Sequence, residues 1–427
     1  MGLWCLNASK TDLISLALPI SSVAIRDVVA NGFVDRAQQQ ARIEARGDLL
    51  LDAAGSIIAE GGQFVAGDDL TLDAGGSIEL SALALERSRD DRIDGGYDRA
   101  YSRTPMLAEI QAGGNARLDA SEDLSLTGVK AKAGENLTLQ ADGDITIASV
   151  QNQESRDLKL DIKTSGLLGT ETNIRRQHSS TETEGSSLTA GGGVSIRSEA
   201  GDVTIQASRI ESGGATEIMA EDGKVVLLTE TDQRFSQDFK REEDLFWWNE
   251  RDQGRVEETI RNVEIEAGGG LTIDAGNGVV IEYKATGGDL SASLDQLSAS
   301  PGLSWVNDLR NDPALAGKVD WQAVNAEFRE WDYKSQGLTE AGAALVTLVA
   351  TALTAGTGGF TASLSTQLAT SLGIQNAAMQ TALQAGLQTL INKTAVSLVN
   401  NQGDLGATLK ELGSAGTLRS LATAMRH

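Results

Sequence analysis

Short alternations of apolar and polar residues recur along the chain at a nearly constant interval. The stretch Leu118 to Val150 shows it best. Shifted by 21 residues, Leu118 falls on Leu139, Leu124 on Ile145, Leu126 on Ile147 and Val129 on Val150. The same shift relates GDLLLDAAGSII to DDLTLDAGGSIEL, placing Leu49 on Leu70, Leu51 on Leu72 and Ile57 on Ile78. A shift of 22 places Ile196 on Ile218, Val203 on Val225 and Ile205 on Leu227. One more unit, GGGLTIDAGNGVVIEY (Gly268 to Tyr283), closes the series. Alternation such as Leu70-Thr71-Leu72 is the signal of a short strand with one buried face. The Gly, Asp, Asn and Ser residues between these strands favour turns. A fixed period near 20 residues marks a solenoid, in which each repeat buries its apolar face on the next. The expected fold is therefore mainly β: a right-handed parallel β-helix with coils of about 21 residues. Its strands must stack about 4.8 Å apart, and extra residues are absorbed at the corners. A six-residue repeat and the nine-residue calcium-binding repeat GGxGxDxUx are both absent.

Three segments interrupt the pattern, near residues 81–111, 151–188 and 229–267. They are charged and carry strand-like alternation, as in Leu158-Lys159-Leu160-Asp161-Ile162, so they read as hairpin excursions from a corner. Residues 1–46 read as a partial start of the solenoid or a separate N-terminal segment. The first 25 residues are faintly signal-like, with no basic residue before Lys10. After the solenoid (47–290), Ser-rich sequence with Pro301 and Pro313 reads as a linker over 291–318. Trp321, Val324, Phe328 and Trp331 then recur at spacings of three, four and three, which predicts a helix with one apolar face. From Ala341 through Asn392 there is no Asp, Glu, Lys or Arg. Its first apolar segment, 15 residues before a Gly-rich break, is shorter than the roughly 20 needed to span a bilayer. A buried helical hairpin and a membrane-inserting segment both remain open. The expected C-terminal domain, 319–427, is small and mostly α-helical.

Charge and composition narrow the function. A net charge of −24 argues against nucleic acid as a partner, because phosphate binding needs a basic surface. Cys5 is the single cysteine, so neither an internal disulfide nor a thiolate metal cluster can form. The two histidines, His178 and His427, belong to no HExxH, Gly-x-Ser-x-Gly or P-loop pattern. Gly191 to Gly193 and Gly268 to Gly270 precede strands and read as corners. Asp73, Asp119 and Asp274 sit at strand ends beside Ala, as turn residues do, although a paired-carboxylate glycosidase site is the alternative they permit. No cofactor and no metal is implied. The exposed-aromatic candidates are Phe246, Trp247 and Trp248, flanked by charge in the third excursion. They read either as a partner or membrane contact or as a hairpin packed on the solenoid flank.

The units GDDLTLDAGGSIEL and GENLTLQADGDITI resemble the repeats of filamentous haemagglutinin. The run GLLG…SSLTAGGGVSIRSEAGDVTIQAS…GGATEIMAEDGKVVLL resembles the later repeats of contact-dependent growth inhibition exoproteins, which are secreted by the two-partner route. The stretch from Trp321 to Leu412 is similar to the "possible haemagglutinin" domain that precedes the pretoxin region and toxin tip in that family. No VENN motif appears; Val399-Asn400-Asn401 is a superficial echo. The resemblance implies an internal-to-C-terminal piece without the toxin tip: a non-catalytic stalk and delivery module, secreted or on the cell surface. Its implied partners are a target-cell surface or outer membrane and, for the full-length protein, a two-partner secretion transporter. No small-molecule substrate is implied. An adhesin contacting a receptor or glycan through its excursion tips is the alternative, and a carbohydrate-active β-helix enzyme the second.

Overall fold

The computed structural model describes residues 7–8, 12–15, 22–164, 169–244, 247–286, 288–313, 315 and 317–339. The uncharged stretch Ala341 to Asn392, expected as a buried helical hairpin or a membrane-inserting segment, lies outside these residues, as does the rest of the C-terminal segment. Three parallel sheets of eight strands each form the walls of a three-sided β-helix. One coil visits each wall in turn, as in Val129–Ala133, Leu137–Ala141 and Ile145–Ala148. The register follows the sequence period: Leu118 lies beside Leu139, Leu124 beside Ile145 and Leu126 beside Ile147. Alternate side chains point inward, and Leu72, Leu118, Leu126, Leu139 and Ile147 are wholly buried. Among the described residues the interior is mostly aliphatic, with Phe64 its one phenylalanine and Tyr283 and Trp305 at the C-terminal end.

The corners carry polar ladders. Asp48, Asp69, Asn115 and Asn136 stack at one corner, each side-chain oxygen accepting the backbone N–H of the following coil. The donors are Asp69, Asn115, Asn136 and Gly193, at 3.2, 2.7, 3.2 and 2.8 Å. At the next corner Asp123, Asp144 and Asp202 accept in the same way from Asp144, Asp202 and Lys224, at 2.8, 2.7 and 2.7 Å. These bonds satisfy backbone donors that a tight turn would otherwise leave unpaired.

Val150 departs from the period. It does not stack on Val129 but opens a hairpin, and the place above Val129–Ala133 is taken by Ser187–Ala190 after that hairpin returns. Four hairpins leave the solenoid: Val23–Gln39, Leu83–Met106, Val150–Glu184 and Glu230–Arg261. The first lies in the segment read as a partial solenoid start. They do not stand apart. Each pairs antiparallel with the next, and Phe328–Leu338 adds a ninth strand, giving one continuous sheet.

The reason is geometric. Successive hairpins are separated by two coils, which advance about 9.6 Å at one strand spacing per coil. A hairpin is two strands wide, and so fills the same 9.6 Å. The hairpins therefore tile without a gap. Both faces of the sheet are only partly covered. In Leu83–Ile93 Leu83 alone is buried.

The C-terminal part corrects two expectations. The helix predicted from Trp321, Val324, Phe328 and Trp331 is two strands, Val319–Val324 and Phe328–Leu338. The first pairs with Val279–Lys284 of the last coil and the second with the fourth hairpin. Two open sheet edges supply partners for extended chain, and that pairing outweighs a helical spacing carried by only four residues. The segment 291–318, read as a linker, instead holds helices α1 (Leu290–Ser298) and α2 (Trp305–Asn311). Asp289 caps α1, accepting from the Ala292 N–H at 2.8 Å. Leu294, Leu297, Trp305, Val306 and Leu309 join the solenoid core. The Gly302 carbonyl accepts from the Ile265 N–H on the last coil. The helices thus close the apolar end of the stack, which a solenoid requires where its coils stop. Among the described residues no helix is long and apolar enough to cross a membrane.

Candidate binding face of the hairpin sheet

Directly opposed residues of an antiparallel sheet share a face, so the registers sort the side chains. Over the fourth hairpin and the ninth strand, one face carries a grid of five rows. They are Phe235–Val256–Arg329, Gln237–Gly254–Trp331, Phe239–Asp252–Tyr333, Arg241–Glu250–Ser335 and Glu243–Trp248–Gly337. Two tryptophans pack against two glycines. A Cβ on Gly254 would fall 2.2 Å from Trp331 Cζ2, and one on Gly337 would fall 3.0 to 3.1 Å from Trp248 Nε1, Cε2 and Cζ2. Glycine at these positions leaves the backbone bare for the ring. Trp331 donates from Nε1 to Asp252 Oδ1 at 3.1 Å, and Gln237 donates to both oxygens of Asp252 at 2.9 and 3.0 Å. Phe235 meets Trp331 at 6.3 Å, and Arg241 lies 5.1 Å from the Trp248 ring centre. Tyr333 is 69% exposed.

Elsewhere the sheet is laced by ion pairs. Arg26 bonds both oxygens of Asp35 (2.7 and 2.8 Å) and reaches Glu86 at 2.9 Å. Hydrogen bonding to Arg26 holds the Asp35 carboxyl below its ordinary range. Asp98 sits between Arg156 and Arg89, each at 2.8 Å, and is lowered for the same reason, chiefly by Arg156. Burial, then the hydrogen bond to Glu86, raises the Tyr101 phenol. On the opposite face a groove of about 660 Å³ runs past Arg87, Ala100, Arg156 and His178. Its cations Arg89 and Arg156 are already matched by Asp98.

The structure sorts the candidates named from the sequence. Phe246 lies outside the described residues. Trp247 and Trp248 begin the second strand of the fourth hairpin, half-buried, opposite Leu338 and Gly337. They are not a free tip, because the ninth strand runs beside them. Asp73, Asp119 and Asp274 occupy one row on the outer surface of a solenoid wall. Asp73 and Asp119 are adjacent, whereas Asp274 is four strands further on; together they flank no cleft. Among the described residues no cluster of His, Cys, Asp and Glu could hold a metal. Sequence reading missed Phe235, Phe239, Trp331 and Tyr333. The even spacings of Trp331 to Tyr333 and of Phe235 to Phe239, which put each pair on one face of a strand, were their available signal.

The haemagglutinin repeat family matches residues 98–173 and again 168–244. Each match begins in or near the returning strand of a hairpin, crosses two coils and enters the next hairpin, which is the tiling unit of the structure. The possible haemagglutinin family (DUF637) matches residues 382–426, beyond the described part and overlapping only the end of the Trp321 to Leu412 stretch. No curated protein and no solved structure matches the chain. With repeats of that family built into both its coils and its hairpins, the chain is a filamentous haemagglutinin-like protein.

Proposed function

We propose that this chain is the stalk and toxin-delivery segment of a large exoprotein of the contact-dependent inhibition kind, exported by two-partner secretion and acting at the outer membrane of a target cell. The observation that carries this reading is the change of material at the end of the solenoid. Helices α1 and α2 seal the core, and after two more strands the sequence passes to 52 residues without a formal charge, Ala341 to Asn392, whose end overlaps the possible haemagglutinin match. This segment follows in sequence on the ninth strand, Phe328–Leu338. An uncharged segment rich in Ala, Leu and Thr can leave water at far lower cost than a charged one. Proteins with haemagglutinin repeats are typically non-enzymatic and secreted or surface-exposed, which agrees with a delivery role. The test is co-flotation of the purified chain with liposomes and with outer-membrane vesicles. Association with either supports delivery, and indifference to both contradicts it.

The second reading, adhesion, is favoured by the aromatic grid. It differs from an adhesin working through its tips, because Trp248 is pinned against Gly337 within the sheet. Replacing Trp248 by Ser should abolish cell binding if the grid mediates it and leave binding unchanged if the chain is a stalk alone.

A further inference from the structure

We infer that the grid formed by the fourth hairpin and the ninth strand is a binding site for a neutral polysaccharide chain, laid lengthwise along Phe328–Leu338. The inference rests on the adhesive reading and names its ligand. Trp331 and Trp248 each pack against a glycine, and both are only half-buried. The Trp331 ring lies over Gly254, Tyr333 stands on the ninth strand and the Trp248 ring lies over Gly337, so the three rings follow the last two strands lengthwise. From Trp331 to the Trp248 ring over Gly337 is six residues, about 20 Å of extended chain. That length suits several sugar units and exceeds one.

Between the rings stand the Glu250 carboxylate, the Ser335 hydroxyl and Asp252, whose oxygens, already accepting from Gln237 and Trp331, keep lone pairs for a sugar hydroxyl. Pyranose rings present the complementary mixture, with C–H faces that stack on aromatics and equatorial hydroxyls that bond to carboxylates and amides. The other chemistries fit poorly. A lipid surface would bury Asp252 and Glu250, which ionised carboxylates strongly resist. Sulfated glycans and nucleic acids would meet Glu243, Glu250 and Asp252 against Arg241 and Arg329, and Arg241 is already engaged by Glu243 (2.8 Å) and Glu250 (3.7 Å).

The test titrates the whole chain, followed by tryptophan fluorescence and calorimetry, with β-1,4-linked glucose, mannose and N-acetylglucosamine hexasaccharides and a heparin-derived hexasaccharide. At least one neutral hexasaccharide should bind, and its disaccharide should bind at least about tenfold more weakly. Trp331→Ala should weaken binding about tenfold or more, the loss usual for an aromatic anchor. Tyr333→Ser should weaken it about fivefold; being largely exposed, this residue can be changed without disturbing the fold. Three results would each overturn the inference: no neutral hexasaccharide binds, binding is unchanged in Tyr333→Ser, or the heparin fragment alone binds. Cell binding that persists without any neutral saccharide binding removes this inference and leaves the adhesive reading standing, whereas loss of both removes the adhesive reading too.

Discussion

Deleting coils in ones or in twos should have opposite consequences. Removing residues 108–128 takes out a single coil and joins Leu107 to Val129. The walls can restack, because Val129–Ala133 occupies the same wall as Ala108–Ala112. The hairpins cannot. The second and third would then be spaced by about 4.8 Å where two strands need about 9.6 Å. One strand must leave the sheet. The smallest loss is the ladder between Gly96–Met106 and Val150–Lys163, which has eight paired residues. At about 1 kcal/mol net per backbone bond this is on the order of 8 kcal/mol, comparable to the whole stability of a typical domain. The Arg156–Asp98 pair is lost with it. Removing residues 108–185 instead deletes two coils and one hairpin and joins Leu107 to Ser186. Ser187–Ala190 then stacks on Gln63–Ala66, and the second hairpin meets the fourth with Tyr101 opposite Phe235 on the same face. The larger deletion should therefore unfold cooperatively and keep its hairpin amides protected from hydrogen exchange. The smaller should melt lower and exchange freely through its hairpins. A single-coil variant as stable and as protected as the parent would refute the tiling.

Other outcomes rest on individual contacts. Leu139→Ala, in a wholly buried site, should cost about 3 kcal/mol in urea unfolding. Gly254→Ala should displace Trp331, costing about 1 to 3 kcal/mol and shifting tryptophan emission to longer wavelength, because the new Cβ would overlap Cζ2. Acid should loosen the hairpin sheet. Asp35 and Asp98 have carboxyls depressed by Arg26 and Arg156, so their contribution is complete above the unfolded value near 4 and is lost as the pH falls below it. Near-ultraviolet circular dichroism between about pH 5 and 2 should show the change, and a signal constant over that window would exclude those pairs as contributors.

The coil register was legible because the walls are buried on one side, and burial imposes alternation of apolar residues. Leu118, Leu124 and Leu126 stack as their period requires. The hairpin sheet was not legible in the same way. Its faces are both solvated, so pairs such as Arg156 with His178 carry no apolar pattern, and only the two-coil spacing between excursions encodes the tiling. The spacing of Trp321, Val324, Phe328 and Trp331 is shared by a helix and by two strands divided by a loop. Open edges on the last coil and the fourth hairpin decide between them. In 291–318 the Ser and Pro content masked Leu294 and Leu297, whose burial on the last coil makes α1 worth forming. The aromatic grid joins Trp248 to Gly337 and Gly254 to Trp331, pairs far apart in sequence, and becomes visible only once the register is known.

That the hairpins form one sheet is the central claim, and a distance across the sheet tests it directly. Ser102 on the second hairpin and Glu257 on the fourth share a face, four strands apart through Glu154, Ser180 and Arg234. Spin labels at these two positions, with Cys5→Ser to remove the native thiol, should give a narrow distance distribution centred near about 20 Å, four strand spacings. A broad distribution, or a mean well beyond that spacing, would show hairpins that move independently and would contradict the continuous sheet.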